Sequence, residues 1–237
     1  MKQEILGVKI DQVYLGDVLN SVSDFIKSDN QHYIVTINPE FIVESQNNKQ
    51  FKDVLNNADV ATCDGIGLYL ASGFKLKRVT GVELSQELLK TDWLKIFLLG
   101  GDEDSAKKVA KDNPQTVVGS ERGGAINKKK WTLDDNDEVI KKINKSGANV
   151  LLVGFGQVKQ EMWIYRNLSK VPNIKIAVGI GGTFDYLSGN VKRAPKWMRE
   201  LGLEWFYRLI TQPSRIGRIF NATFKFLWLV IVSKRNI

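Results

Sequence analysis

Residues 33–41 read Tyr33-Ile34-Val35-Thr36-Ile37-Asn38-Pro39-Glu40-Phe41, and the fold follows from this stretch. The first five are all β-branched or aromatic, as in a strand buried on both faces. Asn38 then offers a side-chain oxygen as a helix N-cap, and Pro39 suits the first helical position, where no N–H is needed. A buried strand that passes straight into a helix is the building unit of a parallel sheet covered on both faces.

The unit recurs in both directions from there. Residues 59–63, 95–99, 149–153 and 175–178 read as further buried strands, rich in Val, Ile and Leu and ended by Gly or polar residues. Amphipathic stretches at 17–27, 38–48, 105–112 and 157–168 read as helices. The N-terminal residues Met1 to Gly7 lack the apolar run of a signal peptide and look like the start of a strand. Residues 120–136, with Gly123-Gly124 and Lys128-Lys129-Lys130, read as a solvated loop. The expected fold class is α/β: a mostly parallel, Rossmann-like sheet with helices on both faces, plus a helical C-terminal appendage.

Composition and charge narrow the class of partner. The 237 residues are 43% hydrophobic and 25% charged, ordinary for a globular chain with a sizeable core. Cys63 is the only cysteine, which rules out an internal disulfide and fits a reducing compartment. From Val191 onward there are ten basic and two acidic residues, whereas residues 1–190 carry 24 of each. The net charge of +8 therefore sits wholly in the last fifth of the chain and calls for an anionic partner. We divide the chain into an α/β unit, 1–190, and a basic appendage, 191–237, in which Pro195 and Pro213 punctuate the helices.

On a helical wheel Ile216, Ile219, Phe220, Thr223, Phe224, Leu227, Val230 and Ile231 share one face, with Arg215, Arg218 and Lys225 nearly opposite. That is the pattern of a helix lying in a bilayer surface; a helix docked on its own domain reads the same way. The long apolar face suits lipid better than a nucleic-acid backbone. The run from Phe226 to Val232 is far short of the ~20 residues needed to span a bilayer. The expectation is a cytoplasmic protein, peripheral on the inner face of the membrane, that self-associates when no lipid covers this face.

Parallel sheets bind ligands beyond the carboxyl ends of their strands. Thr36 and Asn38 lie at one such end, and Asp64-Gly65 at the next. Asp64 suits a general base at a strand mouth, and it equally suits the N-cap of a helix starting near Gly65. Glycine turns follow three strands: Gly100-Gly101, Gly154-Phe155-Gly156 and Gly179-Ile180-Gly181-Gly182. Their N–H groups suit phosphate or sugar oxygens, and tight connections use the same residues. Lys159 stands where G-x-G-x-x-G would need its third glycine. This counts against a dinucleotide-dependent oxidoreductase, and no cofactor is expected. Asp102-Glu103-Asp104 matches the D-x-D metal clamp of many sugar-nucleotide transferases. Acidic residues favour the first turn of a helix anyway, so we read the triplet as a cap and expect no metal site. The sole histidine, His32, reads as a half-exposed polar residue.

Several motifs in order resemble the WecG/TagA/CpsF glycosyltransferases (glycosyltransferase family 26). They are Thr36-Ile37-Asn38-Pro39-Glu40, Asp64-Gly65-Ile66-Gly67, Arg78-Val79-Thr80-Gly81, Phe97 to Gly101, Gly154-Phe155-Gly156 through Lys159-Gln160-Glu161, Gly179 to Asp185, Arg193-Ala194-Pro195 and Gly202-Leu203-Glu204-Trp205. Members similar to this chain transfer N-acetylmannosamine from its UDP donor to N-acetylglucosamine on undecaprenyl diphosphate. The product is the β-1,4 linkage disaccharide of wall teichoic acid or, in other bacteria, part of enterobacterial common antigen. Other members use other sugars in polysaccharide assembly. The resemblance implies an inverting, metal-independent transfer with Asp64 as base. It implies that Thr36, Asn38 and Gln160 bind substrate, and that Gly154, Gly156, Gly181 and Gly182 lie near the nucleotide. Arg208, Arg215 and Arg218 would be cations folding over the site from the appendage. Against the family pattern, Val158 replaces a usual proline, Glu83 a common Asp, and Cys63 a frequent Ala or Pro.

Overall fold

The structure, a computed structural model, describes residues 1–102, 104–213 and 216–235, apart from the side chains of Arg218, Asn221, Lys234 and Arg235. A hairpin of β1 (Lys2–Ile5) and β2 (Val8–Asp11) leads to α1 (Leu15–Lys27), β3 (His32–Ile37), α2 (Pro39–Ser45), α3 (Lys49–Asn56) and β4 (Val60–Cys63). Next come α4 (Ile66–Ala71), α5 (Gly81–Leu89), β5 (Ile96–Gly100), α6 (Ser105–Asp112) and β6 (Val117–Glu121). A second small hairpin, β7 (Ile126–Asn127) and β8 (Thr132–Leu133), precedes α7 (Asn136–Ser146), β9 (Val150–Gly154), α8 (Lys159–Asn167), β10 (Ile176–Gly179) and α9 (Thr183–Leu187). The chain ends in α10 (Lys196–Glu200), α11 (Glu204–Thr211), α12 (Ile216–Phe220), a π-helical turn (Asn221–Lys225) and α13 (Phe226–Arg235).

Six strands form one sheet in the order β4-β3-β10-β9-β5-β6, with every pairing parallel. Alternate residues of each strand feed two separate cores, because successive side chains leave a strand on opposite faces. Val35, Phe97, Leu151, Val153 and Ala177 pack on one face. Ile34, Ile96, Leu98, Leu152 and Val178 pack on the other. This double burial is why the strands read as continuous apolar runs. The chain runs outward from β3 to β4 at one edge and from β5 to β6 at the other. β9 and β10 then fill the middle, so the carboxyl ends of β3, β10 and β9 lie side by side.

The expected strands shift by at most a residue or two. Asn38 caps α2 as read, its Oδ1 accepting from the N–H groups of Glu40 at 2.9 Å and Phe41 at 3.3 Å. The helix expected over 38–48 ends earlier, at Ser45, and α3 begins anew at Lys49. Residues 120–136 are not wholly loop: they finish β6 and form the β7–β8 hairpin, whose two-residue strands are too short to show any periodicity. Leu133 of that hairpin is buried in the core.

The C-terminal run lies against the sheet unit. Phe226 is 1% exposed and packs beside Gly67 of α4, and α13 contacts α2. The docked reading therefore describes how this segment is held. Yet Ile216, Phe220, Phe224, Leu227 and Ile231, five residues of the wheel's apolar face, remain exposed. The π-helical turn inserts an extra residue per turn, so a wheel drawn at a constant helical pitch does not bring out Phe226 as the side chain that faces inward. Among the described residues no helix is long and apolar enough to cross a membrane.

Candidate active site at the carboxyl edge of the sheet

One cleft at the carboxyl edge is lined by Thr36, Asn38, Asp64, Gly154, Gly156, Gln160, Gly181, Gly182 and Arg208. They come from five separate stretches of chain. Arg215 lies outside the described residues, as does the side chain of Arg218.

Asp64 is placed by strand pairing and by a neighbouring helix. Its N–H donates to the Ile37 carbonyl at 2.7 Å, which fixes it beside the end of β3. Gly65 follows at φ +133°, a conformation that favours glycine, and starts α4 with no side-chain cap. The capping reading of Asp64 is corrected accordingly. Its Oδ2 accepts from the Gly81 N–H at 3.1 Å, so it faces the first residue of α5 instead of α4. α5 is itself closed by a capping box in which Thr80 and Glu83 bond reciprocally, which gives Glu83 a structural role at this motif. Burial pushes the Asp64 carboxyl up to about 6, against the lowering effects of the Gly81 N–H and Arg208; Glu204 and Glu83 add to the rise.

Arg208 reaches the cleft from α11. Its Nη2 donates to Glu204 Oε1 at 3.0 Å, and its guanidinium lies 5.0 Å from the centre of the Tyr186 ring. Burial works against its charge, but Tyr186, Glu204 and Asp64 outweigh that and raise its pKa. Glu204 also lies 3.8 Å from Arg193 Nε. The roles of Glu204 and Tyr186 were not read from the sequence. The i, i+4 spacing of Glu204 and Arg208 was the available signal for one of them.

The remaining residues build the cleft floor. Thr36 Oγ1 donates to the Gly179 carbonyl at 3.0 Å, tying β3 to β10. Gln160 is buried: its Oε1 accepts from the Gly181 N–H at 2.9 Å and its Nε2 donates to Glu161 Oε1 at 2.6 Å. Its side chain thus holds the third glycine turn in place. Burial pushes the Glu161 carboxyl up to about 8. At Gly154 a Cβ would meet the Phe184 ring at 2.9 Å and the Gly181 carbonyl at 3.0 Å, so only glycine lets the two turns meet. Val158, just before Lys159, has φ +67°, a value proline cannot reach.

The acidic triplet is corrected in part. Asp104 occupies the N-cap of α6 but makes no side-chain capping bond, and its carboxylate pairs with Lys107 at 3.2 Å instead. Asp102 lines the cleft, and Glu103 lies outside the described residues. Among the described residues no three His, Cys, Asp or Glu groups lie close enough to hold a metal ion. His32 is half-buried far from the cleft at the amino end of β3, between Ser28 and Asp59.

The family model described as "Glycosyl transferase WecG/TagA/CpsF family" matches residues 3–237. An N-acetylglucosaminyldiphosphoundecaprenol N-acetyl-beta-D-mannosaminyltransferase of Staphylococcus aureus strain MRSA252 is 30% identical, covering 100% of this chain and 94% of the relative. A Bacillus subtilis strain 168 protein of the same name is 31% identical, covering 94% of this chain and 90% of the relative.

Proposed function

We propose a reaction for this chain, which belongs to the WecG/TagA/CpsF glycosyltransferase family: it moves N-acetylmannosamine from UDP-N-acetylmannosamine to N-acetylglucosamine carried on undecaprenyl diphosphate. The observation that carries the chemistry is that Asp64 and Arg208 line one cleft, close enough for Arg208 to act on the Asp64 carboxyl electrostatically. The Asp64 carboxyl, raised to about 6, is mostly ionised at neutral pH and basic enough to take the proton of the acceptor hydroxyl. The freed oxygen attacks the anomeric carbon on the face opposite the diphosphate, and the bond from that carbon to the phosphate oxygen breaks. UDP leaves with the electron pair and the configuration inverts. Arg208 offsets the charge that builds on the departing diphosphate, and the N–H groups of Gly156 and Gly182, in the two glycine turns that line the cleft, supply further donors. An arginine in that position gives the reaction a cation without a metal ion.

The acceptor is a membrane lipid, and the appendage, 191–237, suits such a surface. Trp197, Leu201, Phe206, Ile210, Ile216, Phe220, Phe224, Leu227, Trp228 and Ile231 are all exposed there. A large exposed apolar surface within the basic part of the chain fits the interface of an anionic bilayer. The product linkage would initiate a wall polymer such as teichoic acid. The deciding experiment offers a panel of UDP-sugars together with lipid-linked N-acetylglucosamine and reads the products by mass spectrometry. A disaccharide formed only from UDP-N-acetylmannosamine is expected. Preference for another sugar would keep the chemistry and replace the donor, and no transfer from any UDP-sugar would overturn the reading.

A further inference from the structure

Residues 65–82 contain Lys75, Lys77 and Arg78 and no acidic residue, a local excess inside residues 1–190, whose charges sum to zero. They form α4, the turn after it and the approach to α5. α4 starts directly after Asp64, and its six residues rise about 9 Å. At the far end Leu70 is 51% exposed and Phe74 is 59% exposed. Phe74 has φ +67°, which glycine adopts freely and a bulky side chain does not. Its ring meets the Tyr69 ring edge-on at 5.1 Å and still leaves most of its surface in water, so an aromatic held at a strained position here suits contact with something outside the chain. Nearby, the Lys77 ammonium lies 5.3 Å from the centre of the exposed Tyr14 ring.

Two contacts join α4 and the segment after it to the C-terminal segment. Arg78 Nη1 donates to the Arg199 carbonyl at 3.0 Å. Gly202 lies so close to Ile66 that a Cβ there would come within 2.6 Å of it. Leu70 is one helical turn beyond Ile66, and the exposed Leu201 immediately precedes Gly202, so apolar side chains of the two segments extend from one junction.

We propose that the end of α4 and its turn, through Leu70, Phe74, Lys75 and Lys77, form a second contact with an anionic lipid surface, continuous with that of the C-terminal segment. The proposal rests on the reading of that segment as membrane-facing. Apolar side chains rimmed by lysine match a headgroup region that is apolar beneath and negative above. Two anchors on either side of the junction fix the tilt of the molecule, which one helix lying in the interface cannot do. They hold Asp64 one length of α4 from the headgroups, where a sugar diphosphate rising from the bilayer arrives.

The full-length chain carries its only native thiol, Cys63, buried, so a bimane label attaches to an introduced surface cysteine. Labels at Phe74→Cys, at Leu227→Cys on α13 and at Asn30→Cys before β3 are compared on vesicles of phosphatidylcholine and brominated phosphatidylglycerol. Quenching at positions 74 and 227 but not at 30 is expected. Quenching at 227 without quenching at 74 overturns this proposal and leaves the membrane-facing segment intact. Quenching at neither overturns the reading on which it rests. Independently, Leu70→Ser combined with Phe74→Gly should lower vesicle partition by about tenfold or more, the loss expected when a Leu and a Phe no longer leave water. Its melting temperature should hold, because glycine suits the backbone at 74. Unchanged partition would overturn the proposal.

Discussion

At Asp64 one carboxylate accepts the Gly81 N–H and, in the proposed reaction, the acceptor's proton. Asparagine can keep the first role and not the second. Asp64→Asn should therefore fold and bind donor but lose about 10²–10⁴-fold in kcat; near wild-type turnover would remove Asp64 as the base. In the wild type kcat/KM should fall as pH drops below about 6, when this carboxyl takes up a proton. Its folded pKa lies above the ordinary carboxyl value of 3.8, so its stabilising contribution is present at low pH and lost as pH rises through about 6. Asp64→Asn should then melt no lower than the wild type at neutral pH, a stability gain set against activity. Glu161 obeys the same sign at higher pH. Its carboxyl sits at about 8 against an ordinary 4.5, so the wild type should lose stability as pH rises between about 5 and 8. Glu161→Gln should flatten that decline in thermal melts across pH, and an unchanged slope would assign it to other groups.

Among the elements, α13 offers the sharpest contrast, because the π-helical turn before it decides which side chain faces inward. Phe226 is fully enclosed, whereas Phe224, two residues earlier, is 61% exposed. Phe226→Ala should cost about 3 kcal/mol or more, as for a large buried aromatic, and Phe224→Ala should stay within about 0.5 kcal/mol. Denaturant unfolding of the two variants measures this, and equal costs would mean that the register of α13 is different. Vesicle binding should rank them in the opposite sense, since only Phe224 is free to enter lipid.

For the whole molecule, the excess positive charge and, among the described residues, most of the exposed large apolar side chains share the last fifth of the chain, which also lends Arg208 to the cleft. Activity should survive EDTA if, as proposed, Arg208 in the cleft offsets the diphosphate charge. Loss of activity on chelation and recovery with magnesium or manganese would bring Asp102 and Asp104 back as ligands. Replacing Phe224, Leu227 and Trp228 together by serine should weaken binding to anionic vesicles by tenfold or more without lowering the melting temperature, since all three are exposed. Salt should weaken wild-type binding too, each basic residue at the surface contributing about 1 kcal/mol that screening removes. Insensitivity to both changes would remove the membrane from this account.

The parallel sheet was legible because double burial forces continuous runs of Val, Ile and Leu, and a crossover helix must follow each strand. The run Tyr33 to Ile37 with Asn38-Pro39 carries that rule within a few residues. Ligands gather where parallel strands end, so Asp64 and the glycine turns could be marked from position, whereas Thr36, Asn38, Gln160 and Arg208 were named through the family resemblance; the structure lines one cleft with all of them. Their partners were legible by neither route. That Asp64 faces Gly81, that Gln160 grips the Gly181 turn, and that Glu204 and Tyr186 hold Arg208 are contacts no motif spells out, the first two between stretches far apart in the chain. Local patterns carry no record of such distances. The same limit explains the C-terminal helices. Their apolar face follows from helical period, but which residue turns inward depends on a π-helical turn and on the surface of α2 and α4 that receives Phe226. Periodicity is a property of one segment, whereas burial is a property of two, and only the folded chain brings the second one up against the first.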